Sequence, residues 1–154
     1  MRSILIAAAA VAAALIATPA AAEGWRGELG YTQYDTDAAE VGAITGRLGY
    51  DFTPHVGVEG EVGIGVGDDD GAELDSAVGG FVIGRLPVAQ GFSVHGRLGY
   101  ARLDGNGGDD DGVAYGVGGQ YDINSRFGVR GDYTRISGDN DDADSFAVTA
   151  VIRW

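Results

Sequence analysis

Ser145-Phe-Ala-Val-Thr-Ala-Val-Ile-Arg-Trp154 alternates from end to end. Successive side chains of an extended chain point to opposite faces, so Phe146, Val148, Ala150, Ile152 and Trp154 share one face. Ser145, Ala147, Thr149, Val151 and Arg153 share the other. The stretch reads as a β-strand with one apolar face. Its terminal indole suits a lipid–water boundary, and the strand is expected to close a sheet against the first one.

The same period of two recurs upstream, over 25–34, 41–52, 55–66, 74–86, 92–103, 113–123 and 126–136. Each segment is near the roughly 9 to 11 residues that a tilted membrane strand needs. Within 55–66, Val56, Val58, Val62, Ile64 and Val66 oppose a face that carries Glu59 and Glu61. Within 41–52, Ile44, Leu48, Tyr50 and Phe52 oppose Thr45 and Arg47, and within 92–103, Phe92, Val94, Leu98 and Tyr100 oppose Ser93, His95 and Arg97. Segment 126–136 sets Phe127, Val129 and Tyr133 against Arg130, Asp132 and Thr134, with Arg135 on the apolar side, where it can snorkel at an interface. Segment 74–86 leaves two options open. Phe81 and Ile83 share a face with Arg85, while Val78, Val82 and Leu86 share the other.

Connections alternate in character. Thr53-Pro54, 87–91 and Asn124-Ser125 are short and built from turn-forming residues; 35–40, 67–73, 104–112 and 137–144 are longer and crowded with acids. Trp25, Tyr50, Phe52, Phe92, Tyr121, Phe127 and Trp154 gather at the short-turn end of their strands. Tyr31, Tyr34, Tyr100, Tyr115, Tyr133 and Phe146 gather at the long-loop end, and Phe81 alone lies mid-strand. Two aromatic belts around an aliphatic band, with trimmed turns at one end and long loops at the other, predict an all-β fold: an eight-stranded antiparallel up-and-down transmembrane β-barrel. An even strand count places the short turns and both termini on the periplasmic side.

The N-terminal stretch sets Arg2 before the apolar run 4–17, followed by Pro19 and Ala20-Ala21-Ala22. That order predicts a cleavable signal peptide over 1–22 and leaves 23–154 as one barrel domain, because the run is short of the roughly 20 residues of a spanning helix. No cysteine is present, so an exported chain must hold without disulfides. The chain carries 10 basic residues, all arginine, against 23 acids, for a formal net charge of −13. This balance excludes a nucleic-acid partner, and the lack of lysine excludes a Walker-type phosphate loop.

Gly46-Arg-Leu-Gly-Tyr50-Asp-Phe-Thr-Pro54, Gly84-Arg-Leu-Pro87 leading to Gly96-Arg-Leu-Gly-Tyr100, and terminal Ile152-Arg-Trp154 resemble the small OmpA-like, porin-family outer-membrane β-barrels of Gram-negative cell envelopes. The resemblance spans essentially all of the mature segment and implies outer-membrane localisation. Partners it implies are outer-membrane lipid and lipopolysaccharide, and the barrel-assembly machinery, which would read the C-terminal strand ending in Trp154. A monomer is expected, since a closed sheet has no spare edge. A peptidoglycan-binding domain like the one that follows the barrel in OmpA is not expected after Trp154.

With polar faces inward, the lumen must hold a charge network of Arg26, Glu28, Arg47, Glu59, Glu61, His95, Arg97, Asp122, Arg130 and Asp132, joined by Gln120 and Arg153. Eight strands enclose a space that side chains can fill, and unpaired buried charges are costly, so pairing is expected. A narrow water path that leaks small ions is the alternative. Dense loop carboxylates, among them Asp68, Asp69, Asp70, Asp109, Asp110 and Asp111, suit solvation or weak divalent binding, but Asp104 to Asp109 fails the calcium-loop pattern, which requires glycine where Asp109 stands. No metal or cofactor site is expected, because two histidines are too few for a histidine-based centre. Ser93-x-His95, with Glu59 or Glu61 near, is similar to the serine and histidine of outer-membrane lipid A deacylases, yet its face points away from lipid. The functional expectation is a non-enzymatic structural barrel of at most weak permeability. Alternatives are a surface adhesin or host-factor-binding barrel acting through its acidic loops, and a soluble periplasmic ligand-binding barrel with the faces reversed.

Overall fold

The computed structural model describes residues 24–35, 40–66, 74–105, 108–138 and 142–154. The expected signal peptide, residues 1–22, lies outside them, as do Asp68, Asp69 and Asp70 of the acidic loops. Eight strands, β1 (Trp25–Asp35), β2 (Glu40–Asp51), β3 (Val56–Val66), β4 (Leu74–Ala89), β5 (Phe92–Gly105), β6 (Gly108–Asp122), β7 (Phe127–Gly138) and β8 (Asp142–Arg153), form a closed antiparallel barrel in sequential order. Closure joins the ends of the chain, from Arg26 opposite Arg153 to Asp35 opposite Asp144. Pairing β8 to β1 leaves every strand with two neighbours, which is how a sheet satisfies its backbone inside a membrane.

The faces sort as alternation demands. Leu29 is 60% exposed, Leu98 59% and Val148 64%, whereas Arg26 and Arg130 are fully buried. Apolar side chains thus look outward and charged ones inward, which removes the reversed, soluble arrangement. The ambiguous strand resolves with Phe81, Ile83 and Arg85 inward and Val78, Val82 and Leu86 outward. Around the short-turn rim, Trp25 packs edge-on against Tyr50 at 5.2 Å between centroids, and Tyr50 against Phe52 at 5.3 Å. At the opposite rim Tyr133 contacts Phe146 at 5.0 Å, and its hydroxyl donates to Asp144. Tyr34 departs from its expected place in this belt. It carries the inward parity of Arg26 and Glu28 and is buried inside the barrel.

The interior has two storeys. Charge occupies the short-turn half, but the long-loop half is uncharged and small: Tyr34, Phe81 and Ile136 pack among Ala43, Ala77, Ala101, Ala114 and Ala143, with Ser76, Thr134 and Ser145 also buried. Alternation alone places charge inside without saying where along the lumen it stops. The reason for the difference is volume, since a narrow barrel that admits two rings and a branched chain has room only for alanine beside them.

Short turns close the charged end. Thr53 Oγ1 accepts the backbone N–H groups of His55 and Val56, and Asn124 Oδ1 accepts those of Arg126 and Phe127, so both turns use a side-chain oxygen to satisfy the reversing backbone. Gly91 turns β4 into β5 with φ of 77°, a conformation that favours glycine. Pro87 lies inside β4, not in the turn, and is tolerated because the β4–β5 register slips between Pro87 and Ala89. At the other end the expected 104–112 loop is largely ladder: β5 and β6 stay paired up to Gly105 opposite Gly108, across residues 106–107. Residues 106–107 lie outside the described residues; in sequence, Asn-Gly between alternating segments is a two-residue hairpin signal, consistent with the pairing of Gly105 and Gly108.

Candidate functional site: the charged lumen

Each buried charge descends from strand parity. Arg26 and Glu28 of β1, Arg47 of β2, Glu59 and Glu61 of β3, His95 and Arg97 of β5, and Arg130 and Asp132 of β7 all occupy inward positions. Arg130 sits at the centre. Its Nη1 lies 2.7 Å from both Glu28 Oε1 and Glu59 Oε2, and its Nη2 lies 2.9 Å from Asp132 Oδ1. Arg26 reaches Glu28 at 3.0 Å, Glu59 at 3.0 Å and Asp51 at 2.6 Å. Arg47 spans Glu28 at 3.1 Å, Asp132 at 2.6 Å and Glu61 at 2.5 Å. Arg97 pairs with Glu61 at 2.9 Å and stacks its guanidinium 3.6 Å from the centre of the Phe81 ring, which explains why that ring turns inward.

The contacts cross the lumen in space while lying far apart in sequence: Arg130 and Glu28 are separated by 102 positions. Thr149 from β8 donates to Glu28 Oε2 at 3.0 Å, so strands β1, β2, β7 and β8 are tied through one carboxylate. Above this layer Thr32 and Thr45 share a hydrogen bond of 2.7 Å, which marks the transition to the uncharged storey. Glycines make the room. A Cβ on Gly118 would meet His95 Nε2 at 2.6 Å, and one on Gly49 would meet Arg26 Nη2 at 2.7 Å.

Asp122 stands apart from these groups, partly exposed at the short-turn mouth, where it pairs with Arg153 at 3.0 Å and accepts from Gln120 at 2.7 Å. Two lumen residues escaped the sequence reading. Asp51 continues the inward parity of Arg47 and Gly49, and Arg85 lies on the strand whose faces were undecided. Ser93 and His95 are both buried inside, but His95 Nε2 pairs with Asp132 at 2.5 Å, and Ser93 Oγ has no hydrogen-bond partner among the described residues. A nucleophile–base couple is therefore not assembled, and the hydroxyl is turned away from the lipid face. Among the described residues no group of three or more histidine, cysteine or acidic side chains is arranged to hold a metal ion.

On the outer wall, Arg135 snorkels at the long-loop rim, 3.2 Å from Asp142 and 3.8 Å from Asp144. Asp111 accepts the Tyr100 hydroxyl on the same rim.

A closed eight-strand barrel with a lipid-compatible exterior and a charge-filled interior defines a transmembrane β-barrel protein. The chain belongs to the outer membrane protein beta-barrel domain family, whose model matches residues 4–153, and it is a protein of the outer membrane. No curated protein sequence matches it. Its fold is similar to that of Ail, the attachment invasion locus protein of Yersinia pestis, at 18% identity and a TM-score of 0.61, covering 86% of this chain and 100% of that one. It is similar also to the N-terminal β-barrel domain of Pseudomonas aeruginosa OprF, at 14% identity and a TM-score of 0.60, covering 82% and 97%. Neisserial surface protein A follows at 11% identity and a TM-score of 0.52, covering 84% and 96%.

Proposed function

We propose that this barrel serves the outer membrane structurally, without catalysing a reaction, and that its lumen is sealed by the arginine–carboxylate network so that at most small ions leak through. The observation that carries the reading is the position of Arg130, fully buried and bonded to carboxylates from β1, β3 and β7 at once within the barrel's charged half. Buried charges joined by short bonds rigidify a structure, and their side chains fill the narrow interior of an eight-stranded barrel. Residues 1–22 would direct export, the C-terminal strand ending in Trp154 would engage the assembly machinery, and the barrel would work as a monomer among lipid and lipopolysaccharide. Planar-bilayer recording of the refolded protein tests the seal: no steps, or rare small openings, are expected, and long-lived large openings would refute it.

Recognition at the cell surface is a second reading, favoured by the acidic outer rim formed by Asp104, Asp111, Asp142 and Asp144. The Ail structure contains a sulfated heparin analogue, sucrose octasulfate. An acidic rim repels such a polyanion, so a partner of the present chain would be basic. Replacing Asp104, Asp111, Asp142 and Asp144 together with asparagine should abolish attachment to cells if this reading holds; unchanged attachment removes it.

A further inference from the structure

Compensation within the lumen is uneven. Arg26, Arg47 and Arg130 each meet at least three carboxylates, whereas Arg85 meets one, Asp51, with Nη1 3.3 Å from Oδ2. Asp51 is already held at 2.6 Å by Arg26. The Arg85 side chain is 10% exposed, and among the described residues its Nε and Nη2 have no hydrogen-bond partner. Those two nitrogens share one edge of the guanidinium and offer two parallel N–H donors, the fork that matches paired oxygens of a carboxylate or phosphate.

A third donor stands beside it. Arg85 pairs with His95 and Pro87 with Ser93 across β4 and β5, so Ser93 is the diagonal neighbour of Arg85 on the inner face. Its buried hydroxyl has no hydrogen-bond partner among the described residues either. Both residues line a recess of about 280 Å³ at the short-turn mouth, with Asp51, Asp122 and Arg153. The two carboxylates there are already compensated, Asp51 by Arg26 and Arg85, and Asp122 by Arg153.

Buried donors without acceptors cost free energy that a matching acceptor recovers. We propose that the Nε–Nη2 edge of Arg85 and the Ser93 hydroxyl form a binding site for a small oxyanion, a carboxylate or phosphate, that enters from the periplasmic mouth. The recess lies on the periplasmic side of the Arg130 layer, so occupancy requires no passage through the barrel and is independent of the seal.

The test uses the full-length barrel refolded in a phosphate-free maltoside micelle, where no lipid headgroup competes, titrated calorimetrically with inorganic phosphate, acetate and chloride. Saturable binding of phosphate or acetate, stronger than that of chloride, is expected. Arg85→Lys keeps the charge and loses the fork, and should weaken binding at least about tenfold, as the loss of one charge-assisted hydrogen bond predicts; Arg85→Gln should abolish it. Folding of each variant is checked by heat-modifiable gel mobility. Ser93→Cys supplies an independent readout, because the chain has no other thiol. Its reaction with a small methanethiosulfonate should slow several-fold when phosphate is present. The proposal is overturned if the unmodified barrel binds no oxyanion saturably, if Arg85→Lys binds as tightly as it does, or if phosphate leaves the thiol's labelling rate unchanged.

Discussion

Removing the central cation is the sharpest perturbation of the lumen. Arg130→Met keeps most of the side-chain volume and deletes the charge. It breaks two ion pairs of 2.7 Å and one of 2.9 Å. Were its three acceptors left bare, the loss would be severe, since deleting one partner of a buried pair costs about 3–5 kcal/mol. They are not bare: Glu28 retains Arg26 and Arg47, Glu59 retains Arg26, and Asp132 retains Arg47 and His95. The expected loss is therefore at the low end, about 3 kcal/mol. Asp132→Asn weakens the same Arg130–Asp132 contact from its other side, so the double variant should be at least about 1 kcal/mol more stable than the sum of the single effects predicts. Urea unfolding in lipid bilayers, followed by the fluorescence of Trp25 and Trp154, measures both values, since these two indoles flank the β1–β8 junction. A loss below about 1 kcal/mol for Arg130→Met would show that the network contributes little to stability, and would refute the reasoning.

Other expectations follow from the same geometry. Gly118→Ala drives a methyl into the Gly131 carbonyl oxygen of the neighbouring strand as well as into His95 and should destabilise by about 1–3 kcal/mol, whereas Gly80→Ala, with nothing within 4 Å of the added methyl, should be neutral or stabilising in the same urea assay. Leu98→Arg places a charge on the lipid face of β5 and should cost about 2–4 kcal/mol, or prevent assembly as judged by heat-modifiable mobility. Arg135→Ala removes only exposed rim pairs and should change stability by less than about 1 kcal/mol. Paired substitution of Arg47→Ala and Glu61→Ala should raise single-channel conductance measurably above that of the unmodified barrel, because it deletes a 2.5 Å bond across neighbouring strands in the charged half.

Alternation made the strands legible, since parity alone decides which side chains share a face. Turn chemistry did the same for Thr53 and Asn124. Parity does not tell which charges meet, because that depends on register and strand tilt around the ring. Arg130 and Glu28 could be assigned to one lumen, but not to one bond. Tyr34 was obscured for another reason: an aromatic near a strand end resembles a belt residue, and its inward parity carries less weight than its type. Arg85 was hidden by a strand with apolar residues on both faces. The continued pairing of β5 and β6 to Gly105 and Gly108 was masked by the acidity of 104–112, which by composition resembles a loop.

The seam between β1 and β8 governs how the protein can be made. Arg26 and Arg153 face each other there, although almost the whole chain lies between them. Until the final strand arrives, the wall is an open ribbon with two raw margins, each able to capture the margin of another unfinished copy. Long-range pairing of this kind is slow. Transit from export to insertion is consequently the hazardous interval in this protein's life, and a chaperone that shields the ribbon would matter more to its yield than any single bond in the finished wall.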